Sequence, residues 1–381
     1  MKIVTNVQMK KVGGLGRVFS QFASYVRRSG TPIEIIPLAI GSVADGPLSV
    51  SWEPYEVEGT VGWSARMSPN FYKRALAQSR TLEDMRRAMA PLTEAYIRKL
   101  EEIQPDVVLI NGTYFRPWCL LMAARALGIP AILHYHGSAE QESVGANASA
   151  RQLARAIESD FADDGPCIFP SELARVQAAR SFPISSRQTH IIPNSVPDIF
   201  FNQASTREPQ ALGFVLRWEP VKNTEFLEAL FERNEALDEP YRLRLISDLL
   251  PAQEAAIAKP HLSFLPPRDT ADLAAFYASC GAVMCPSLFE TFGNVAAEAV
   301  AAGTPALTGR NTGVAEVFQR VGLERLIADF TSPDDVFALV KAIIARGISD
   351  DERQRLREAL SEDVIYKRLC EVVLRAASVW K

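Results

Sequence analysis

Ala282-Val283-Met284-Cys285-Pro286-Ser287-Leu288-Phe289-Glu290-Thr291-Phe292-Gly293-Asn294-Val295-Ala296-Ala297-Glu298, residues 282–298, decides how this chain is read. The first four residues form a short apolar run suited to a buried strand, and Val295 to Ala302, rich in alanine, reads as the helix after it. Gly293 marks the turn between them. At such a strand-to-helix junction the first backbone N–H groups have no partner within the helix and carry partial positive charge, so they favour a phosphate or an array of hydroxyls. Glu290 enters at the carboxyl end of the strand and Glu298 lies about a turn into the helix, each able to accept bonds from paired hydroxyls. A carboxylate beside a phosphate repels it. The two acids therefore make most sense on either side of a diphosphate, one on a sugar and one on a ribose.

Working outward, short β-like runs alternate with helical patterns along the whole chain, which predicts parallel sheets wrapped by helices. The first half offers Ile3 to Val7, Ile33 to Pro37, Val107 to Ile110, Ala131 to Tyr135, Cys167 to Phe169 and His190 to Ile192. The second half offers Leu212 to Leu216, Arg242 to Ile246, Leu262 to Phe264, Ala282 to Met284 and Ala306 to Thr308. With 381 residues and 48% hydrophobic content, the chain has enough apolar material for two α/β domains. The turn residues Asn194-Ser195-Val196-Pro197-Asp198 place the boundary, giving a first domain over 1–195 and a second over 196–362. The stretch Asp363 to Lys381 is amphipathic.

Charge and cysteine usage exclude several classes. A net charge of −4 argues against a general nucleic-acid binder. Five scattered cysteines, odd in number and without Cys-x-x-Cys pairs, indicate neither a disulfide framework nor a zinc site. The opening apolar run is cut by Gln8, Lys10 and Lys11, too early for a signal peptide, and no run approaches membrane-spanning length. A cytoplasmic enzyme is the default expectation. Asp-x-Asp, His-Glu-x-x-His and Gly-x-x-x-x-Gly-Lys-Ser/Thr motifs are absent, so neither a metal nor ATP hydrolysis is expected.

Several further constellations sit where open α/β sheets bind ligands, beyond the carboxyl ends of strands. Arg217 and Lys222 follow Leu212–Leu216, and two cations there would offset charge developing on a diphosphate leaving group. Gly13-Gly14-Leu15-Gly16-Arg17 follows the first strand and opens a helix; its missing Cβ atoms let a ligand approach the backbone, although the dinucleotide fingerprint fails at Phe19. His134-Tyr135-His136-Gly137 ends another strand, with both rings on one face, and Glu140 and Glu142 follow it. Between Trp63 and Leu100, eight cations (Arg66, Lys73, Arg74, Arg80, Arg86, Arg87, Arg98, Lys99) stand against three acids. A solvated basic face is the favoured reading there. The sharper one is a peripheral contact with a membrane's inner face or an anionic, lipid-linked acceptor.

The string Pro-Ser-x-x-Glu-x-Phe-Gly with Glu290 and Glu298 eight apart, followed by Ala301-Ala302-Gly303-Thr304-Pro305, resembles the donor-site signature of the retaining glycosyltransferases of family four. The resemblance implies the GT-B fold: two Rossmann-like doubly wound α/β domains with an interdomain cleft holding the active site, and a C-terminal helix, 363–381, that packs back on the first domain. It implies that a hexose-type sugar passes from a nucleotide diphosphate sugar to an acceptor hydroxyl with retention, without metal, and that no cofactor is needed because the nucleotide-sugar is a substrate. Arg217, Lys222, Glu290 and His136 become the catalytic set. Donor contacts extend to Gly13, Gly14, Thr291, Phe292, Gly293, Asn294, Val295 and Glu298, with Leu265 and Pro266 at the base. Pro266 stands where the family commonly has glycine, which leaves the base undefined, and Ser195 stands where the family's interdomain segment usually has Gly after Asn. A nucleotide-sugar epimerase of the same fold, or a non-catalytic nucleotide-sugar binder, remains as an alternative.

Overall fold

The computed structural model describes residues 1–7, 14–42, 50–57, 59–67, 75, 77–137, 148–161, 165–180, 184, 188–204, 206–266 and 268–379. The chain divides into two compact units, one of Met1–Ile192 with Tyr366–Lys381 and one of Pro193–Ile365.

The first unit is built on eight strands: β1 (Lys2–Thr5), β2 (Glu34–Ser42), β3 (Trp52–Val57), β4 (Thr60–Met67), β5 (Val107–Asn111), β6 (Ala131–His134), β7 (Cys167–Phe169) and β8 (Thr189–Ile191). Their order across the sheet is β3-β4-β2-β1-β5-β6-β7-β8. All neighbours are parallel except the antiparallel β3–β4 pair. Every residue of β5, β6 and β7 is buried, as expected of strands covered by helices on both faces. Helix Leu82–Ile103 supplies part of that cover, turning Met85, Met89, Leu92, Tyr96 and Leu100 inward. Helix Glu362–Val379 closes the unit: from Tyr366 onward it belongs here, with the Tyr366 hydroxyl donating to the Val18 carbonyl at 3.0 Å and its ring against Phe22 and Tyr25.

The second unit carries β9 (Glu208–Val215), β10 (Arg242–Ile246), β11 (Leu262–Leu265), β12 (Cys280–Cys285), β13 (Ala306–Gly309) and β14 (Ile327–Ala328). They form one parallel sheet in the order β11-β10-β9-β12-β13-β14. β12 is buried throughout, and the alanine-rich helix Asn294–Ala301 packs next to it because Ala296, Ala297, Ala299 and Ala301 allow close approach. This is the two-sheet, Rossmann-like architecture expected, with three strands more. β3, β4 and β14 were not among the predicted elements, and β2 runs past Pro37 to Ser42.

Strand order locates the ligand-binding crevice in each unit. In the second, successive strands run outward as β9, β10, β11, and the chain then returns to the other side of β9 to lay down β12, β13 and β14. The loops after β9 and β12 leave in opposite directions and open a crevice between them. In the first unit the reversal falls between β1 and β5.

Candidate functional site

At the reversal in the second unit, β9 leads through Arg217 and Trp218 into the short turn Pro220–Lys222. Asn223 follows in the left-handed conformation, φ 60°, and starts helix Thr224–Glu235. β12 leads into the loop 286–293 and helix Asn294–Ala301. The two loops are tied together by the Leu288 N–H donating to the Val221 carbonyl at 2.9 Å. Lys222 Nζ consequently lies 3.0 Å from Glu290 Oε1, and both side chains are largely buried, 18% and 21% exposed. Ser287 Oγ donates to the same carboxylate oxygen. The loop after β13 steadies Glu290 from the other side: its N–H donates to the Asn311 carbonyl at 3.1 Å and its carbonyl accepts from Gly313 N–H at 3.1 Å.

Gly293 makes the corner into the helix at φ 105°. A Cβ there would lie 3.1 Å from Val314 Cγ1, so the position requires both the backbone conformation and the space of glycine. Beyond it the first amides of helix Asn294–Ala301 face the crevice end of the helix without intrahelical acceptors. Asn294 Oδ1 accepts from Asn194 Nδ2 at 2.9 Å. Glu298, one turn further on, is buried, and its Oε2 accepts from the Tyr277 hydroxyl at 3.4 Å. Cys285, at the end of β12, has its thiol pushed well up by burial and then by Glu290, with Lys222 opposing, so it stays protonated at neutral pH.

The remaining residues expected at a donor site spread along the same edge. Arg217 is exposed and pairs with Glu219 at 3.0 Å. Leu265 ends β11 opposite Ile246 of β10, and exposed Pro266 follows. Two strand spacings, about 10 Å, separate that point from β9. Thr291, Phe292 and Val295 complete the loop and helix start, with Phe292 buried and its carbonyl accepting from Val314 N–H. Lys222, Glu290, Gly293, Asn294 and Glu298 are thus brought together, while Arg217 is directed to Glu219.

In the first unit, Gly14 begins helix Gly14–Ser29, whereas Gly13, Glu140, Glu142, Lys73 and Arg74 lie outside the described residues. His136 is half-buried beyond β6, its Nε2 3.1 Å from Asn111 Oδ1 at the end of β5. The His134 ring packs on it at 4.0 Å between centroids, fully inside the core. Burial drives the basicity of both rings down, His136 to about 3 and His134 further with an added push from His136, so both are neutral. Of the basic stretch, Arg86 pairs with Asp160 and Glu83, Arg87 with Asp84, Arg98 with Glu94, and Lys99 is buried over the Trp63 ring with Glu102 as its partner. Half of those eight cations are therefore paired with acids of the chain, and one of the four, Lys99, is buried.

Ser287, Tyr277 and Asn111 belong to these sites and were not singled out from the sequence. Ser287 lies inside the quoted motif. Asn111 carried a usable signal as the polar last residue of an otherwise apolar strand.

Among the described residues no helix is long and apolar enough to cross a membrane, and no cluster of three or more His, Cys, Asp or Glu is placed to hold a metal ion. The family model Glycosyltransferase Family 4 matches residues 12–198, and Glycosyl transferases group 1 matches 195–363. Two curated relatives, each named D-inositol 3-phosphate glycosyltransferase, come from Mycobacteroides abscessus (33% identical, covering 37% of this chain) and Corynebacterium glutamicum strain R (31% identical, covering 41%). The match spans only about a third of the length of these relatives, 33% and 38% respectively. Among solved structures, sucrose-phosphate synthase from Thermosynechococcus elongatus superposes with a TM-score of 0.74 at 16% identity over 100% of both chains. An α,α-trehalose-phosphate synthase (UDP-forming) from Burkholderia xenovorans, in complex with glucose-6-phosphate, gives 0.66 at 13% identity over 99% of both. Two family matches that meet at 195–198, a donor-type crevice at the strand reversal and full-length likeness to such folds lead to one assignment: the chain belongs to the family 4 glycosyltransferases and has the GT-B fold.

Proposed function

We propose that the protein is a retaining, metal-independent glycosyltransferase that moves a hexose-type sugar from a nucleoside diphosphate donor to an acceptor hydroxyl. The observation that carries this reading is the Lys222–Glu290 pair, 3.0 Å apart beside the start of helix Asn294–Ala301 at the β9/β12 reversal. In the free protein the ammonium and the carboxylate satisfy each other. A diphosphate competes for Lys222, with Arg217 turning from Glu219 and the helix amides adding donors, and the released Glu290 carboxylate accepts from sugar hydroxyls. Leaving-group charge is thereby met by side chains and amides, so the reading requires no metal ion. Glu298, held by Tyr277, takes the ribose, and the strip towards Leu265 and Pro266 takes the base. His136 is assigned to a sugar hydroxyl. The names of both curated relatives support a phosphorylated polyol as acceptor.

Incubation with nucleotide-sugars and a panel of polyols, with and without phosphate, tests this. Transfer that survives EDTA and gives an anomer of unchanged configuration is the expected result. Conversion of the donor to a ring epimer with no acceptor present would replace the proposal with an epimerase, and tight donor binding without turnover would leave a binding protein.

A further inference from the structure

The second unit gathers arginines at the amino ends of its strands, away from the crevice at their carboxyl ends. Arg207 stands immediately before β9, and Arg325 lies two residues before β14. The whole of β9, about 25 Å of extended chain, separates Arg207 from the crevice. Both guanidinium groups meet Gly347, which follows helix Pro333–Arg346 at a positive φ of 68°. A Cβ on Gly347 would lie 3.0 Å from Arg207 Nη1 and 3.2 Å from Nη2, and the Gly347 carbonyl accepts from Arg325 Nη2 at 3.0 Å.

Arg325 also forks onto Glu352, Nη1 to Oε1 at 2.6 Å and Nη2 to Oε2 at 2.9 Å, with both side chains largely buried. Ser349 N–H donates to Glu352 Oε2 at 2.9 Å, and Arg346 Nη2 comes within 3.7 Å of Oε1. Three guanidinium groups thus stand around one carboxylate, a surplus of two positive charges. The C-terminus of helix Pro333–Arg346 offsets roughly half a charge, and the N-terminus of helix Asp350–Leu360 restores as much. Asp350 and Asp351, in the first turn of that second helix, are exposed and pair with its own Arg353 and Arg355. Among the described residues two donors of the cluster stay unmet: Arg207 Nη1 and Arg325 Nε are buried without a hydrogen-bond partner. A guanidinium does not shed its proton to escape that cost, so these N–H groups call for an acceptor.

We propose that Arg207, Arg325 and Arg346 form an anion site at the amino edge of the second sheet, and that it takes a tetrahedral dianion, either inorganic phosphate or the phosphate monoester of a small soluble molecule. Two negative charges match the surplus, and tetrahedral oxygens accept from guanidinium groups that approach from different directions. Glu352 is the scaffold: it holds Arg325 in place and is itself held by Ser349, while Arg207 and Arg346 bring the charge that the ligand meets. The site rests on no assignment made in the crevice.

Calorimetric titration of the full chain with inorganic phosphate, glycerol 3-phosphate and chloride, at constant ionic strength, tests the site. Because phosphate can also reach the crevice, each titration is repeated in Lys222→Ala. The expected result is saturable binding of phosphate or its monoester that survives Lys222→Ala and weakens about tenfold or more in Arg207→Gln, the loss of one charge-assisted contact. The tighter of the two ligands names the source. Phosphate should likewise raise the melting temperature of Lys222→Ala and raise it less once Arg207→Gln is added. Arg207→Gln removes a side chain with an unmet donor, so the fold should be kept; should it fail to fold, Arg346→Gln, at an exposed position, decides by the same weakening. Absence of phosphate and monoester binding in Lys222→Ala, equal binding of chloride, or affinity unchanged in Arg207→Gln would overturn the proposal. Sugar transfer, present or absent, bears on the crevice alone.

Discussion

Lys222 and Glu290 neutralise each other in the free protein, and that pairing explains how two groups of opposite charge can share a largely buried crevice before a ligand arrives. Lys222→Ala removes the counter-charge for a diphosphate leaving group, a loss typically of about 3–4 kcal/mol in the transition state. The expected outcome is a fall of about two to three orders of magnitude in kcat with an unchanged fold by circular dichroism; turnover equal to the parent would refute the role. His134 makes a separate residue-scale prediction. Its ring is buried and neutral in the folded state, with basicity far below the ordinary 6.5, so the unfolded chain takes up the proton first. Its neutral burial costs nothing in proton affinity above about pH 6.5 and costs about 1.4 kcal/mol for each pH unit below that, until the folded value is reached. Urea midpoints should therefore drop between pH 7 and pH 5, and His134→Phe should remove part of the drop, leaving the share that His136, lowered in the same direction, carries; an identical slope in the variant would show that other groups carry all of it.

At the scale of elements, the parallel strands were legible because strands buried on both faces are uninterrupted apolar runs: Val107 to Ile110, Cys167 to Phe169 and Ala282 to Met284 can hardly be anything else. The β3–β4 hairpin was not, because Pro54, Glu53 and Glu56 break the pattern in a half-exposed edge strand that pairs only with β4. Pro37 concealed the rest of β2 for a related reason. β2 pairs with β1 up to Pro37 and with β4 from Leu38 onward, so the residue without an N–H stands where the strand changes partners. Gly62 on β4 makes room for it: a Cβ there would lie 2.4 Å from Pro37 Cγ and 2.6 Å from its carbonyl oxygen. Gly62→Ala should therefore destabilise the first unit by about 1–3 kcal/mol, read as a lowered urea midpoint; a midpoint equal to the parent's would show that the hairpin shifts without strain. In the site, the Glu290 loop was readable from its own spacing, whereas the Lys222–Glu290 and His136–Asn111 contacts depend on strand order, which brings together residues 68 and 25 positions apart and leaves no local trace in sequence.

On the scale of the molecule, the two units each carry a strand reversal with polar residues gathered at the carboxyl edge, but of different character. The second has a cation, a carboxylate and a helix start suited to a charged diphosphate; the first has neutral imidazole and amide groups suited to hydroxyls. Ligand binding to the native second unit should raise its stability by about 2.7 kcal/mol when the donor is present at a hundredfold excess over its Kd. The most direct test of the Lys222–Glu290 diphosphate site is calorimetric titration of the parent protein and Lys222→Ala with UDP, GDP and ADP and their hexose conjugates. The account predicts saturable binding of at least one nucleotide-sugar to the parent and affinity weakened by about tenfold or more in Lys222→Ala, the loss expected for a charge-assisted contact of at least about 1.4 kcal/mol. No heat with any of them, or equal affinity in both proteins, would contradict it.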